Sequence, residues 1–423
     1  MVSNGHIPLA RISFLERTGA SVPAVSDLAG EIGRRLSGLN IPFEKLRGRR
    51  IAVTVGSRGV ASLKEIVRAI CDWLKNQGAR PFAFPAMGSH GGATAEGQRQ
   101  LLAEYGVTPE FIGAEILSSM ETVPLGSTPE GFQAFMDRNA YEADSILVVN
   151  RVKPHTDFSG NIESGVVKMM TIGLGKADGA TEAHRCSWKH GFETAIRAIS
   201  TKVLATGKIL CGIALIENEL HQIAEVRAAR PEGIFAQDEE ALKTARQLVP
   251  RIPFPEIDLL IVDEMGKNIS GTGMDTKVIG RGVEPVPPEA PRIRAIYTRD
   301  LTPETEGNAA GVGLADLIHD RLYRKIDYQK TFINVRISLN LPLAQIPMHA
   351  PSDRDALDFA LGYLGSPPPE EQRLVWIRNT LSLDRIAISE TLARASAGLK
   401  GWRLSTGARV PEFDPAGDLS SPF

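Results

Sequence analysis

The sequence predicts an α/β protein of two domains, each built on a largely parallel sheet. Three observations carry that prediction. Short β-rich runs that end in glycine alternate with segments of helical period. The same alternation resumes beyond a proline-rich break near residue 250. The chain has 423 residues, and at roughly 100–200 residues per domain that is enough for two or three separate cores.

The first firm element is Arg50-Ile-Ala-Val-Thr-Val-Gly56, a strand running into the loop Ser57-Arg-Gly59. Ala61–Gln77 follows, with Leu63, Ile66, Val67, Ile70 and Leu74 at steps of mostly three and four, the period of an amphipathic helix. Pro81–Met87 reads as a second strand with Gly88-Ser-His-Gly-Gly92 as its exit loop, and Thr94 as the cap of a helix reaching about Tyr105. A third strand covers Asp144–Val149 and leaves through Asn150-Arg-Val-Lys-Pro-His155. A helix is expected over His190–Thr206 and a strand over Ile209–Ile216. Arg251-Ile-Pro-Phe-Pro255 carries two prolines in five residues, which disfavours both helix and central strand. It divides an N-terminal domain, 1–250, from a C-terminal domain, 251–423. The second half offers strands at Ile257–Val262 and Arg292–Thr298, a glycine-rich loop from Gly266 to Gly282, and a helix at Ala310–Arg324. The polar tail after Gly401, rich in Pro, Gly and Ser, reads as loosely ordered.

Composition narrows the function classes. The net charge is −2 with acidic and basic residues mixed, so no basic stripe suggests nucleic acid. Cys71, Cys186 and Cys211 are odd in number and none sits in a CxxC pair, which argues against a disulfide framework or structural zinc and for a reducing, cytoplasmic setting. No signal peptide is read at the N-terminus, and the longest apolar runs are far too short to span a membrane.

Open parallel sheets place their sites at the carboxyl ends of strands. Three polar loops occupy such ends: Gly56-Ser-Arg58, Gly88-Ser-His90 and Lys153-Pro-His155. Either histidine alone is as readily a loop residue bonded to nearby backbone. Two at equivalent strand ends, in a chain with eight histidines, point to proton transfer. Lys168 lies in the glycine-framed, mostly apolar stretch Gly160–Gly175. Burial would free its amine for covalent bonding, although pattern alone favours a lysine whose stem packs on the core. His184 follows sixteen residues on, as a candidate metal ligand. No HExxH motif, cysteine cluster or Asp-rich loop competes for a metal. Glu217-Asn218 ends a strand and reads either as facing the same cleft or as a cap. Gly271-Thr-Gly273 resembles half a phosphate loop but lacks the GxGxxG spacing.

Taken in order, Gly88-Ser-His90-Gly-Gly-Ala-Thr94, Lys153-Pro-His155, the Lys168 stretch and Glu182-Ala-His184 resemble the nickel-dependent lactate racemases. Ile216-Glu-Asn218 and Asp258–Asp263 add to the likeness, which runs from about residue 40 to 340. The resemblance implies a two-domain α/β fold with an active-site cleft between domains. It also implies a nickel-pincer nucleotide (a pyridinium-3,5-bisthiocarboxylic acid mononucleotide holding nickel) made by dedicated cofactor-biosynthesis proteins. By resemblance Lys168 anchors the cofactor covalently, His184 ligates nickel, and His90 and His155 are the acid/base pair. Ser57 and Arg58 fall against the cofactor, Arg58 also against the substrate, and Lys277 matches the second-domain substrate lysine loosely. The implied activity is racemisation or epimerisation of a small 2-hydroxy acid by reversible hydride transfer to the cofactor. A sugar-acid epimerase, an oxidoreductase on the same core and a non-catalytic homologue are the alternatives. The sequence departs from the family pattern where Val55 stands in place of an aspartate three residues before the arginine, and where Gly59 replaces proline. A 2-hydroxy acid other than lactate is therefore expected.

Overall fold

The computed structural model describes residues 6–423 except 57, 58, 89, 157, 283–289, 339 and 406, and the backbone alone at 43, 188, 337 and 338. The chain divides into two compact units, one of residues 21–249 and one that joins 1–20 to 250–423. The expected partition at 250 therefore misplaces the first residues. Ile12–Arg17 (β1) pairs antiparallel with a strand near the C-terminus, because its alternate apolar side chains complete the second unit's core.

In the 21–249 unit the strands are Arg50–Val55 (β2), Arg80–Pro85 (β3), Glu115–Ile116 (β4), Thr122–Ser127 (β5), Gln133–Asp137 (β6), Ser145–Arg151 (β7), Ile209–Glu217 (β8) and Ile223–Ala229 (β9). Six of them form one sheet in the order β4-β3-β2-β7-β8-β9, parallel except for the β8–β9 pair, and β5–β6 is a separate hairpin. β2 is apolar along nearly its whole length because both faces are covered. Ile51, Val53 and Val55 point into one core with the helix Leu63–Asn76, while Ala52 points into the other with Val166, Val167 and Met170. Each fully buried aliphatic side chain contributes about 1.5–3 kcal/mol. The order reverses between β2 and β7, since β3 and β4 lie to one side and β8 and β9 to the other. A crevice therefore opens beyond the ends of β2 and β7.

In the other unit Glu256–Met265 (β10), Arg292–Leu301 (β11), Leu317–His319 (β12), Met348–Ala350 (β13), Leu374–Ile377 (β14), Arg385–Ser389 (β15) and Trp402–Leu404 (β16) join β1. The order is β13-β12-β11-β10-β14-β15-β1-β16. The β10–β14 block is parallel, and β14–β15, β15–β1 and β1–β16 are antiparallel. Largely parallel sheets were the sequence expectation, and both units carry them.

Three local expectations differ. The helix expected over Ala310–Arg324 is a short turn at Val312–Leu314, the strand β12 and a helix at Asp320–Lys325. The apolar pair Leu317 and Ile318 does better beside Tyr297 and Thr298 of β11 than on a helix face. The tail after Gly401 is ordered by pairing of β16 with β1 and by burial of Leu419. Finally, the helix expected from His190 begins at Phe192, after a longer helix, Lys176–His190. Gly191 separates them with φ 79° and ψ 151°, a conformation that L side chains rarely adopt.

A Cβ at Gly191 would meet nothing within 4 Å, so only backbone strain opposes a side chain there. Gly191→Ala should cost about 1–3 kcal/mol in urea unfolding. An unchanged midpoint would show that the break between the two helices tolerates another geometry.

Candidate active site

The crevice at the ends of β2, β3 and β7 holds a cleft of about 150 Å³. His90, Arg151, Lys153, His155 and Lys168 line it, together with Gly56 and Asn150 from the ends of β2 and β7. Three residues expected from sequence, His90, His155 and Lys168, thus share one cleft although 78 positions separate the first from the last. His90 is exposed, whereas His155 and Lys168 are half-buried.

Each loop is held by a buried polar group. The Gln98 amide donates to the carbonyls of Met87 (3.0 Å), Gly88 (3.1 Å) and His90 (3.2 Å). The helix that presents Gln98 is capped by Thr94, whose hydroxyl accepts from the Gly97 amide at 3.0 Å, as the sequence indicated. Gln98 Oε1 in turn accepts from Lys176 Nζ at 2.7 Å, and Lys176 also donates to the carbonyl of Pro85 at 2.8 Å. Lys176 is fully buried and lies 3.5 Å from the buried Asp137 carboxylate. Burial lowers the Lys176 pKa and raises that of Asp137, and each partner's charge opposes the shift.

The His155 loop rests on Glu163, whose carboxylate accepts from the amides of His155 (2.6 Å) and Gly160 (3.0 Å) and pairs with Arg246 at 2.7 Å. Ser164 Oγ closes the same loop through the Lys153 amide at 2.7 Å and carbonyl at 2.6 Å. Lys168 ends the helical turn Gly165–Lys168, which continues into a π-helical turn, Met169–Gly173. Asp238 sits under the start of that turn and accepts from the Val167 amide at 2.7 Å. Burial pushes its carboxyl up to about 8, against the bonds from the Val167 and Val166 amides. Gly165, at φ 86°, allows this approach, since a Cβ there would lie 2.6 Å from Asp238 Oδ2.

Two phenylalanines frame the lysine. Lys168 Nζ lies 5.6 Å from the Phe158 ring centre and 5.4 Å from that of Phe192, within cation–π range. His155 packs on Phe158 at 4.5 Å, and His184 on the far neighbour, Phe192, at 5.3 Å. His184 is thereby drawn to the same cluster. Burial first, and the Lys168 charge second, bring its imidazole down to about 4. It is neutral at physiological pH, the form that ligates metals.

Ser57 and Arg58 lie outside the described residues. Lys277 belongs to the other unit, in the turn Thr276–Ile279 after its cap Asp275. Glu217 does not face a ligand directly: one oxygen pairs with Arg151 at 2.5 Å and the other accepts from the Ala61 amide at 2.9 Å. Asn218 caps the β8–β9 turn through the amides of Leu220 and Gln222. Sequence reasoning passed over Lys176, Asp137, Gln98, Glu163, Phe158 and Phe192. Lys176 and Asp137 have no local signature because they act on distant segments, and the others are ordinary loop or helix residues whose contacts no residue pattern announces. Among the described residues one His/Asp group could hold a metal: His319, Asp353 and Asp418, in the other unit. Its ligand atoms are committed, His319 to Asp418 and the Arg321 amide, and Asp353 to Arg299, Arg321 and Tyr297.

A family model described as a domain of unknown function (DUF362) matches residues 54–238, all within the unit that carries the cleft. No curated protein matches the chain. Among solved structures, a protein from Thermotoga maritima has 13% identity, covers 66% of this chain and 72% of its own, and has a TM-score of 0.50; the likeness is one of fold. The lactate racemase apoprotein from Thermoanaerobacterium thermosaccharolyticum has 13% identity, coverage of 79% and 93%, and a TM-score of 0.45.

Lys176→Met should destabilise the protein by about 3–5 kcal/mol, because Asp137 loses its cation in a dry site. The double variant Lys176→Met/Asp137→Asn should recover part of that loss in chemical unfolding. Equal stability of the single and double variants would mean that the pair is uncoupled.

In metal-free protein the His184 ring should titrate near pH 4 by NMR. The unfolded chain, with a histidine pKa near 6.5, then binds more protons between pH 6.5 and 4, so His184 makes stability fall as pH falls through that window. Lys168→Met removes a like charge and should move the titration upward, leaving the burial contribution in place. A His184 titration indifferent to that substitution would place the two groups too far apart to interact.

Proposed function

We propose that the chain is an isomerase that inverts the hydroxyl-bearing carbon of a small 2-hydroxy acid, with a nickel-pincer nucleotide anchored on Lys168. The observation that carries this reading is the meeting of His90, His155 and Lys168 in one cleft at the switch point of a parallel sheet. His184 belongs to the same aromatic cluster. The donor set fits that cofactor: a primary amine for the covalent link, and an imidazole kept neutral by burial for nickel.

When bound, the cofactor supplies an acceptor for the C2 hydrogen together with its electron pair, which no side chain offers. The residues supply the rest. The C2 hydrogen of a hydroxy carboxylate is barely acidic, so an imidazole acts on the hydroxyl proton instead. One of His90 and His155 removes that proton, and the other returns it when the opposite hand is formed, so either enantiomer can enter. Glu163 and Gln98 fix the loops that carry the two rings. Phe158 and Phe192 place apolar walls beside Lys168 and limit water at its amine. Val55 is fully buried in apolar core, so β2 ends without the acid that the lactate racemases carry there. A substrate that relied on that acceptor would lose about 1–3 kcal/mol, a ten- to hundred-fold preference.

The protein purified from cells that make the cofactor should carry a mass adduct and nickel, both lost in Lys168→Ala. His90→Ala and His155→Ala should keep the adduct and lose about 10²- to 10⁴-fold in turnover. Chiral chromatography over single-enantiomer 2-hydroxy acids reads the substrate, and an acid other than lactate should have the highest kcat/KM. An adduct retained in Lys168→Ala, or a wild-type protein that never acquires one, would overturn the reading.

A further inference from the structure

The cleft has a charge imbalance that the acid/base and anchoring roles use only in part, at Lys168. Its described lining includes Arg151, Lys153 and Lys168 and no aspartate or glutamate. A ligand that enters it is favoured by carrying negative charge. Of the three cations, Arg151 is the most firmly built in. It is the last residue of β7, at the switch point itself, and its side chain is only 14% exposed. Nη1 is pinned twice, by Glu217 Oε2 at 2.5 Å and by the carbonyl of Gly59 at 3.3 Å. Glu217 is itself held at the end of β8 by the Ala61 amide at 2.9 Å. Nε and Nη2 have no hydrogen-bond partner among the described residues. A guanidinium has five N–H donors in a fixed plane, and fixing one corner fixes the direction of the opposite edge.

We propose that this edge, Nε–H and Nη2–H of Arg151, receives the carboxylate of the substrate as a two-point contact, with Glu217 as the residue that positions it. The proposal rests on the preceding reading for the rest of the substrate, and it assigns to Arg151 the carboxylate recognition expected of Arg58. Parallel N–H bonds from one guanidinium match the two oxygens of a carboxylate, and a lysine cannot reproduce that geometry. With the carboxylate so fixed, only the groups on the neighbouring carbon are left to turn between His90 and His155. The Arg151 edge should therefore accept planar carboxylates and reject the corresponding amides, while any preference for a neighbouring hydroxyl comes from the rest of the site.

The test uses cofactor-free protein and three kinds of probe: 2-hydroxy carboxylates (glycolate, lactate, 2-hydroxybutyrate, glycerate), acetate, which lacks the hydroxyl, and the uncharged lactamide. Calorimetric titration should show binding of at least one carboxylate and none of lactamide. Arg151→Met should weaken that binding about 10- to 100-fold and Arg151→Lys nearly as much. Glu217→Gln, which keeps the guanidinium but loosens its anchor, should fall between these and the wild type. If Arg151→Met fails to fold, the wild-type protein still reports: the Arg151 Nε–H resonance, assigned by its loss in Arg151→Lys, should shift on addition of the carboxylate and not of lactamide. Binding unaffected by Arg151→Met but lost in Lys153→Met overturns the proposal and leaves the 2-hydroxy acid reading standing. Arg151-dependent binding of acetate as tight as that of every hydroxy acid supports the proposal and removes that reading. Equal binding of carboxylate and amide, or no binding of either with a silent Nε–H resonance, overturns the proposal.

Discussion

The candidate site depends on one buried ammonium. Lys176 reaches the carbonyl that ends β3, the side chain of Gln98 and the carboxylate of Asp137, none of them near it in sequence. Through Gln98 the same contact extends to the carbonyls of Met87, Gly88 and His90. A charge in a fully dry position is costly unless its donors are satisfied and its partner is in place. That cost makes the arrangement specific: a shift of the His90 loop would leave an unsatisfied group beneath it, so the loop has little freedom to settle elsewhere.

The acidic residues near the cleft follow a common pattern. Glu163, Glu217 and Asp238 each turn a carboxyl oxygen toward backbone amides: those of His155 and Gly160, of Ala61, and of Val167. They act as fasteners for loops and for the Lys168 turn. The described lining itself is left to imidazoles, cations and small or aliphatic residues. The positive character of the cleft therefore follows from how its loops are tied down, as well as from the cations that face it.

Much of this was readable from sequence, and the limit has a physical cause. β2, β3, β7 and β8 are short apolar runs, and the residues that leave their carboxyl ends are exposed by topology, so His90 and His155 could be placed from local pattern alone. The Leu63–Asn76 helix was legible because its apolar residues recur at the helical period, and its buried set matches that spacing. The Ala310–Arg324 segment was misjudged because pairing with β11, which is invisible locally, outweighs helical preference. Lys176 escaped for the same reason. In sequence it is one more lysine in a glycine-rich stretch, and only the packing of three distant segments shows that it is enclosed. Arg151 had no pattern to single it out, because sequence cannot show that a neighbouring strand end holds its guanidinium in place.

The path of the chain carries a consequence for how the protein is made. The 21–249 unit is inserted between β1 and the rest of the sheet to which β1 belongs. During synthesis β1 leaves the ribosome before the inserted unit, yet its partners β15 and β16 emerge more than 360 residues later. At about 5–20 residues per second that interval lasts on the order of tens of seconds. The inserted unit has its sheet and cores complete by residue 249 and can fold in that time, while an apolar strand stays unpaired beside it. A segment in that state is open to pairing with other nascent chains, so the danger in biogenesis lies in β1 and not in the unit that carries the cleft.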